Sequence, residues 1–192
     1  MQLTTVKKYI LVIVILLVVI GGGIFFLSLS GKQLIREVVQ EVVVEEESIM
    51  EFGLAIGKNA PLFTLTNTKG DTVTLSDFLG KPFILTFWTT WNPIAADQIQ
   101  VFDSYLRKDS RDLFEVVTVS NQEDKSVVAN FIQRGGYEVL VLLDESGAIG
   151  EIYQARNLPL TYFIDKEGIV RDIFVGVLSG EMLEQKAETI LR

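Results

Sequence analysis

The chain lacks two residue types that carry much of protein chemistry: its 192 residues include no cysteine and no histidine. Without cysteine it forms no disulfide, presents no thiolate and carries no lipoprotein anchor. Without histidine it has no imidazole to serve as general base or metal ligand near neutral pH. Basic residues are the minority, 17 against 25 acidic ones, for a formal charge of −8. No clustered basic face is visible, which argues against a nucleic-acid partner. Glycine-rich phosphate loops and the His-Glu-x-x-His metal motif are also missing. The lack of cysteine does not fix the compartment, because an oxidising exterior permits disulfides without requiring them. Tryptophan is scarce, at 2 residues, and proline at 4. The places of Trp88, Trp91, Pro93 and Pro159 therefore carry weight.

What is abundant is apolar material, 48% of the chain, and part of it is concentrated at one end. Residues 9–28 contain no charge. A helix of that length, rising about 1.5 Å per residue, covers the roughly 30 Å of a bilayer's hydrocarbon core. This predicts a transmembrane helix over residues 9–29, behind a cytoplasmic tail of residues 1–8. A cleaved signal peptide competes, since Lys7 and Lys8 precede the run and Ser28-Leu29-Ser30 has the small residues of a cleavage site. The apolar stretch is longer than the usual roughly 7–15 residues of such a peptide, which favours an uncleaved anchor. Lys7 and Lys8 are nearly matched by Lys32 and Arg36 across the span, so charge alone leaves orientation almost tied. The short leading tail favours its staying in the cytoplasm. The expectation is a single-pass protein of the cell membrane with its domain extracytoplasmic.

Residues 30–51 read as a stalk. Ile35, Val38, Val39 and Val42 recur at helical spacing, with Arg36, Glu37, Gln40 and Glu41 on the other face. The valines weaken a helix, and the pattern breaks at Glu45, Glu46 and Glu47. A spacer is the plain reading; a dimer contact or a membrane-surface helix is the alternative.

Residues 52–192 alternate strand and helix signals. Segments 63–66 and 72–75 flank turn residues and predict a hairpin. Residues 83–88 form a strongly β-forming apolar run, as in a strand buried on both faces. A helix is expected over 93–108, a strand over 113–119, a helix over 125–134 and an apolar strand over 139–143. A second hairpin spans 161–164 and 169–177, and a helix closes at 180–191. Asp144-Glu145-Ser146-Gly147 and Asp165-Lys166-Glu167-Gly168 read as polar turns rather than metal sites, with glycine supplying a positive φ. No metal and no cofactor is expected. Alternating βα followed by ββα predicts an α/β sandwich with a mixed central sheet.

Four segments together resemble a known family: 57–65 (Gly57 through Ala60-Pro61 to Leu65), 75–82 (Leu75-Ser76-Asp77-Phe78-Leu79-Gly80-Lys81-Pro82), Phe87-Trp88-Thr89-Thr90-Trp91, and 158–165 with Gly168. The chain is similar to the membrane-anchored thioredoxin-like proteins of the redoxin or TlpA-like group, close to the alkyl hydroperoxide reductase/thiol-specific antioxidant superfamily. The resemblance implies a thioredoxin-like sandwich over residues 52–192. It also implies that a nucleophilic cysteine should follow Trp91, with a resolving cysteine three positions later. Those positions hold Asn92 and Ala95. The stretch Trp91, Asn92, Pro93, Ile94 and Ala95 is thus a vestigial redox site, with no catalytic residue assigned. A thiolate at a helix N-terminus is stabilised by free N–H groups and the helix dipole. Asn92 and Pro93 instead suggest a neutral N-cap and first helical residue. Thr89, Thr90 and Asp97 lack the base a hydroxyl nucleophile needs.

By the same resemblance Pro159 is expected in cis, within the loop Leu158-Pro159-Leu160. Trp88, Trp91, Ile94, Leu158 and Leu160 would then rim an apolar groove able to add a peptide strand; the alternative is that they are core and loop, Trp88 first among them. The function expected is a membrane-tethered binding or scaffolding module with a protein or peptide partner at the Trp91/Pro159 surface. The alternative is the family's thiol-disulfide oxidoreductase or antioxidant role, run through a partner's thiol or a bound cofactor.

Overall fold

A computed structural model describes residues 54–108 and 113–191. The tail, the span over 9–29, the stalk and residues 52–53 lie outside the described residues. Among the described residues no helix is long and apolar enough to cross a membrane.

The described elements run β1 (Thr64–Asn67), β2 (Thr72–Thr74), a 3-10 turn (Leu75–Phe78), β3 (Phe83–Trp88), α1 (Ala95–Leu106), β4 (Glu115–Asn121), α2 (Lys125–Gly135), β5 (Leu140–Asp144), α3 (Ala148–Ile152), β6 (Leu160–Ile164), β7 (Val170–Val175) and α4 (Gly180–Ala187). The strands form one sheet in the order β2-β1-β5-β4-β3-β6-β7. β3, β4 and β5 are parallel neighbours. β6 lies antiparallel to β3, and the two hairpins add antiparallel edges. The mixed sandwich expected from the sequence is the one observed.

β3 positions the site. Every residue of it is buried, because it lies between β4 and β6 and is covered on both faces. Ile84 and Trp88 face a core built with Ile99 and Phe102 of α1 and Leu183 of α4. Phe83, Leu85 and Phe87 face a second core with Leu142, Tyr153, Tyr162 and Ile164. On the face of Ile84 and Trp88, Thr86 and Thr161 are cross-strand partners whose hydroxyls hydrogen-bond at 3.0 Å. Truncating Trp88 or Phe87 to alanine removes about 3–5 kcal/mol of packing. In the second core the Tyr162 hydroxyl donates to the Tyr153 carbonyl, and the Tyr153 hydroxyl to the Pro61 carbonyl. Burial pushes the Tyr162 phenol up to about 12; burial and then the neighbouring Tyr162 push Tyr153 higher still, so both remain neutral donors.

Several boundaries differ from expectation. β4 begins two residues later than predicted, because its ladder opens at Phe83↔Glu115 and leaves Leu113 outside the sheet. The last helix ends at Ala187, and Ile190 then turns back into the core. The five-residue α3 has no counterpart in the sequence reading. Gly147 enters it at φ 74°, and the Asp144 carboxyl accepts the Gly150 N–H at 2.7 Å. Asp165 likewise accepts the Glu167 and Ile169 N–H groups around Gly168 at φ 85°. These acidic side chains are engaged inside their own turns. Among the described residues no cluster of acidic side chains is placed to hold a metal ion.

Candidate functional site

β3 and β6 are antiparallel neighbours, paired as far as Phe87↔Leu160. The residues just after β3 and just before β6 must therefore meet at one end of the sheet. Residues 91–95 and the loop Leu158-Pro159-Leu160 come together there, and the Leu158–Pro159 peptide bond is cis.

The expected helix cap is corrected. Helix α1 begins at Ala95, with Ile94 in the cap position and no side-chain cap. Asn92 stands in the turn before it: the Ala95 N–H donates to the Asn92 carbonyl at 3.0 Å, and the Ile94 N–H donates to Asn92 Oδ1 at 3.2 Å. The helix starts later because residues 92–95 close a turn first, and the helical bonds begin with the Gln98 N–H donating to the Ile94 carbonyl at 3.3 Å. Asn92 Nδ2 meanwhile donates to the Leu158 carbonyl at 2.8 Å, which ties this turn to the cis-proline loop. Where the family resemblance places a thiol, this chain has an amide joining the two loops. Ala95 is buried at 1% exposure, so a methyl group fills the resolving position.

The apolar groove is also corrected in part. Trp88 and Leu160 cannot rim it, because both are core residues on interior strands. Trp91 is 73% exposed and Ile94 38%; Leu158 is half-buried and Pro159 buried. The two tryptophans thus have opposite fates, Trp88 inside the strand and Trp91 beyond its end.

Sequence reasoning missed the group that holds this loop. Glu123 is 8% exposed. Its carboxyl accepts the Thr90 N–H and the Ser120 hydroxyl, each at 2.8 Å, and the Thr90 hydroxyl as well. Thr90 is therefore the anchor of the Trp91 turn. Gln98, one helical turn after Ala95 and wholly buried, accepts the Leu178 N–H. Asp97 is exposed.

A cleft of about 510 Å3 opens beside Trp91, bounded by Asn92, Asn121, Glu151, Arg156 and Leu158. Its floor depends on two glycines. A Cβ on Gly150 would lie 2.0 Å from Asn121 Oδ1, and one on Gly147 would lie 2.4 Å from Gln122 Nε2. Gln122 itself has φ 58°, a backbone conformation costly for a residue with a Cβ.

The AhpC/TSA family profile matches residues 56–173, more than half of the chain. This protein belongs to the AhpC/TSA family. Among curated relatives, the thiol-disulfide oxidoreductase ResA of Geobacillus kaustophilus is 31% identical over 137 residues, 71% of this chain and 79% of that protein. Among solved structures, a Chlorobium tepidum protein assigned as a thiol:disulfide interchange protein DsbE superposes with a TM-score of 0.66 at 27% identity, covering 73% of this chain and all of that one. The pneumococcal exposed lipoprotein thioredoxin Etrx1 of Streptococcus pneumoniae gives 0.60 at 28%, covering 67% and 98%. The chain is thus a thioredoxin-like redoxin domain of the thiol-disulfide oxidoreductase kind, and it contains no cysteine.

Proposed function

We propose that this protein is a membrane-tethered, extracytoplasmic binding or scaffolding domain that keeps the AhpC/TSA scaffold and has given up its thiol chemistry. The observation that carries the reading is Asn92. A residue at the nucleophile's position has become a hydrogen-bonding tie to the Leu158 carbonyl, a structural role that leaves no electron-transfer group at the site. Trp91, standing free beside it, offers the large amphipathic side chain favoured at interfaces. A protein or peptide partner docks on Trp91, Ile94 and the half-buried Leu158 at the Trp91/Pro159 surface. The uncharged run over residues 9–29 supports the tether. Etrx1 being an exposed lipoprotein supports an outward-facing domain, here held without a lipidated cysteine. The relatives' names favour one other reading, a redox role through a partner's thiol or a bound cofactor.

The test replaces Trp91 with a photocrosslinking residue in cells that make the protein. Leu113 serves as control, since it precedes β4 at the opposite end of the sheet. The proposal expects one discrete adduct at position 91, none at 113, and no change when thiols are blocked beforehand. Equal labelling at both positions would refute the binding surface. An adduct abolished by thiol blocking would favour the redox reading.

A further inference from the structure

A second cleft, of about 530 Å3, reaches the Trp91 turn at Thr90, and its other walls are Val127, Asn130, Phe131, Arg134 and Tyr137. Much of this lining is apolar. The Phe131 and Tyr137 rings lie 6.0 Å apart, and Val127 is 47% exposed. Gly135 permits the arrangement, since a Cβ there would lie 2.0 Å from Tyr137 Cε2. The polar side chains of the cleft can donate and have no partner. Arg134 is exposed, and neither an ion pair nor a hydrogen bond engages its guanidinium; the Asn130 amide and the Tyr137 hydroxyl are equally free. Arg134 is not needed to close its own helix, because the Gly136 and Tyr137 N–H groups already donate to the Gln133 and Ile132 carbonyls, each at 3.2 Å. Among the described residues no carboxylate lines the cleft. Glu123 is engaged by Thr90 and Ser120, and Glu138, next after Tyr137, pairs with Arg107 at 3.5 Å. An unpaired guanidinium with two further donors and no competing acid selects an anion, and its planar fork suits a carboxylate bonded through both oxygens. The two rings and Val127 select an apolar body next to that carboxylate. The formal charge of the chain is −8, so attraction of an acid is local to this arginine. Thr90 directly precedes Trp91. A strand laid on Trp91, advancing about 3.3 Å per residue, therefore brings a residue one or two positions along to the cleft.

We infer that this cleft seats an acidic side chain of the partner's peptide, its carboxylate on Arg134 and Asn130 and an adjoining aromatic residue against Phe131 and Tyr137. The inference rests on the binding reading above and names the chemistry of its partner.

The test is calorimetric titration of the purified full-length protein, in a nonionic detergent, with two capped peptides: one carries a glutamate between two phenylalanines, the other a glutamine in its place. The wild type should bind the glutamate peptide about fivefold more tightly than the glutamine peptide, and Arg134→Gln should bind both alike. Raising the salt to about 1 M should shrink the preference, because the pair lies at the surface. Arg134 is exposed and engages no other group, so its variant folds. Ile94→Ala, outside this cleft, should weaken both peptides equally and so reads the Trp91 surface alone. A glutamate preference that is indifferent to Ile94→Ala would keep the cleft and discard that surface; an Ile94 effect without the preference would do the reverse. Equal affinity of the two peptides for the wild type, a preference that survives Arg134→Gln, or no saturable binding would overturn the assignment. So would 3-phenylpropionate binding as tightly as the glutamate peptide, which would make the ligand a free acid.

Discussion

Replacing Asn92 with alanine removes two hydrogen bonds at once, and their geometry sets the size of the effect. The bond from Nδ2 to the Leu158 carbonyl is short at 2.8 Å and partly buried; the one from the Ile94 N–H to Oδ1 is 3.2 Å and exposed. At about 0.5–1.5 kcal/mol per bond, the first near the top of that range and the second near the bottom, the loss is about 1.5–2 kcal/mol. For a domain of this size about 1 kcal/mol moves Tm by roughly 3–5 °C, so Asn92→Ala lowers it by about 5–10 °C. Asn92→Asp discriminates further. It keeps the acceptor for Ile94 but sets a carboxylate oxygen against the Leu158 carbonyl, so its loss exceeds that of alanine at neutral pH and shrinks when the carboxylate is protonated. Thermal unfolding followed by near-ultraviolet circular dichroism provides the measurement. A Tm for Asn92→Ala within about 1 °C of wild type would mean that the tie between the loops is not made, and the account of residue 92 would fail.

Other consequences follow from the same contacts. Glu123→Ala strips the acceptor from the Thr90 N–H, the Thr90 hydroxyl and the Ser120 hydroxyl, so it costs about 3 kcal/mol and loosens the Trp91 turn, read as faster hydrogen exchange at residues 90–92; Glu123→Gln, which keeps one oxygen, loses less. At Asp103, burial opposes ionisation, but the Arg107 hydrogen bond, the Glu138 N–H and the Arg107 charge outweigh it and hold the carboxyl below its ordinary value. A depressed carboxyl stabilises the fold at pH above its unfolded value of 3.8, and that contribution is lost as pH falls through the folded value. Asp103→Asn should therefore flatten the acid limb of a stability–pH curve, and an unchanged limb would count against the assignment. Gly150→Ala sets a Cβ 2.0 Å from Asn121 Oδ1, so it lowers Tm in a thermal unfolding measurement.

Much of the fold was legible because its signals are local. The apolar run of β3 has no polar alternation, as a strand covered on both faces requires, and Gly147 and Gly168 mark turns that need positive φ. The site was less legible because its bonds are long-range. Asn92 followed by Pro93 has the chemistry of a helix start, and nothing nearby reveals that its amide reaches a carbonyl 66 positions away. Glu123 stands in the polar run Gln122-Glu123-Asp124-Lys125, which reads as a solvated helix entry; only the fold turns it inward beneath Thr90. Trp88 and Trp91 are equivalent in composition, and only Thr89 and Thr90 separate a core side chain from an exposed one. The five residues of α3 are too few to show a period at all.

If the redox scaffold persists and only its sulfur has gone, restoring the sulfur should restore the chemistry. The Ala95 N–H to Asn92 carbonyl bond closes a tight turn, whose ends lie within about 7 Å, a separation a disulfide can span. The wild-type protein should show no turnover in an insulin-reduction assay, whereas Asn92→Cys with Ala95→Cys forms a reversible intramolecular disulfide and gains activity. The residue-92 thiol should titrate below the ordinary value of about 8.5, because it stands in the turn that leads into the N-terminus of α1, within reach of its free N–H groups. Turnover by the wild type, or a double variant that forms no disulfide and whose thiol titrates normally, would contradict the claim.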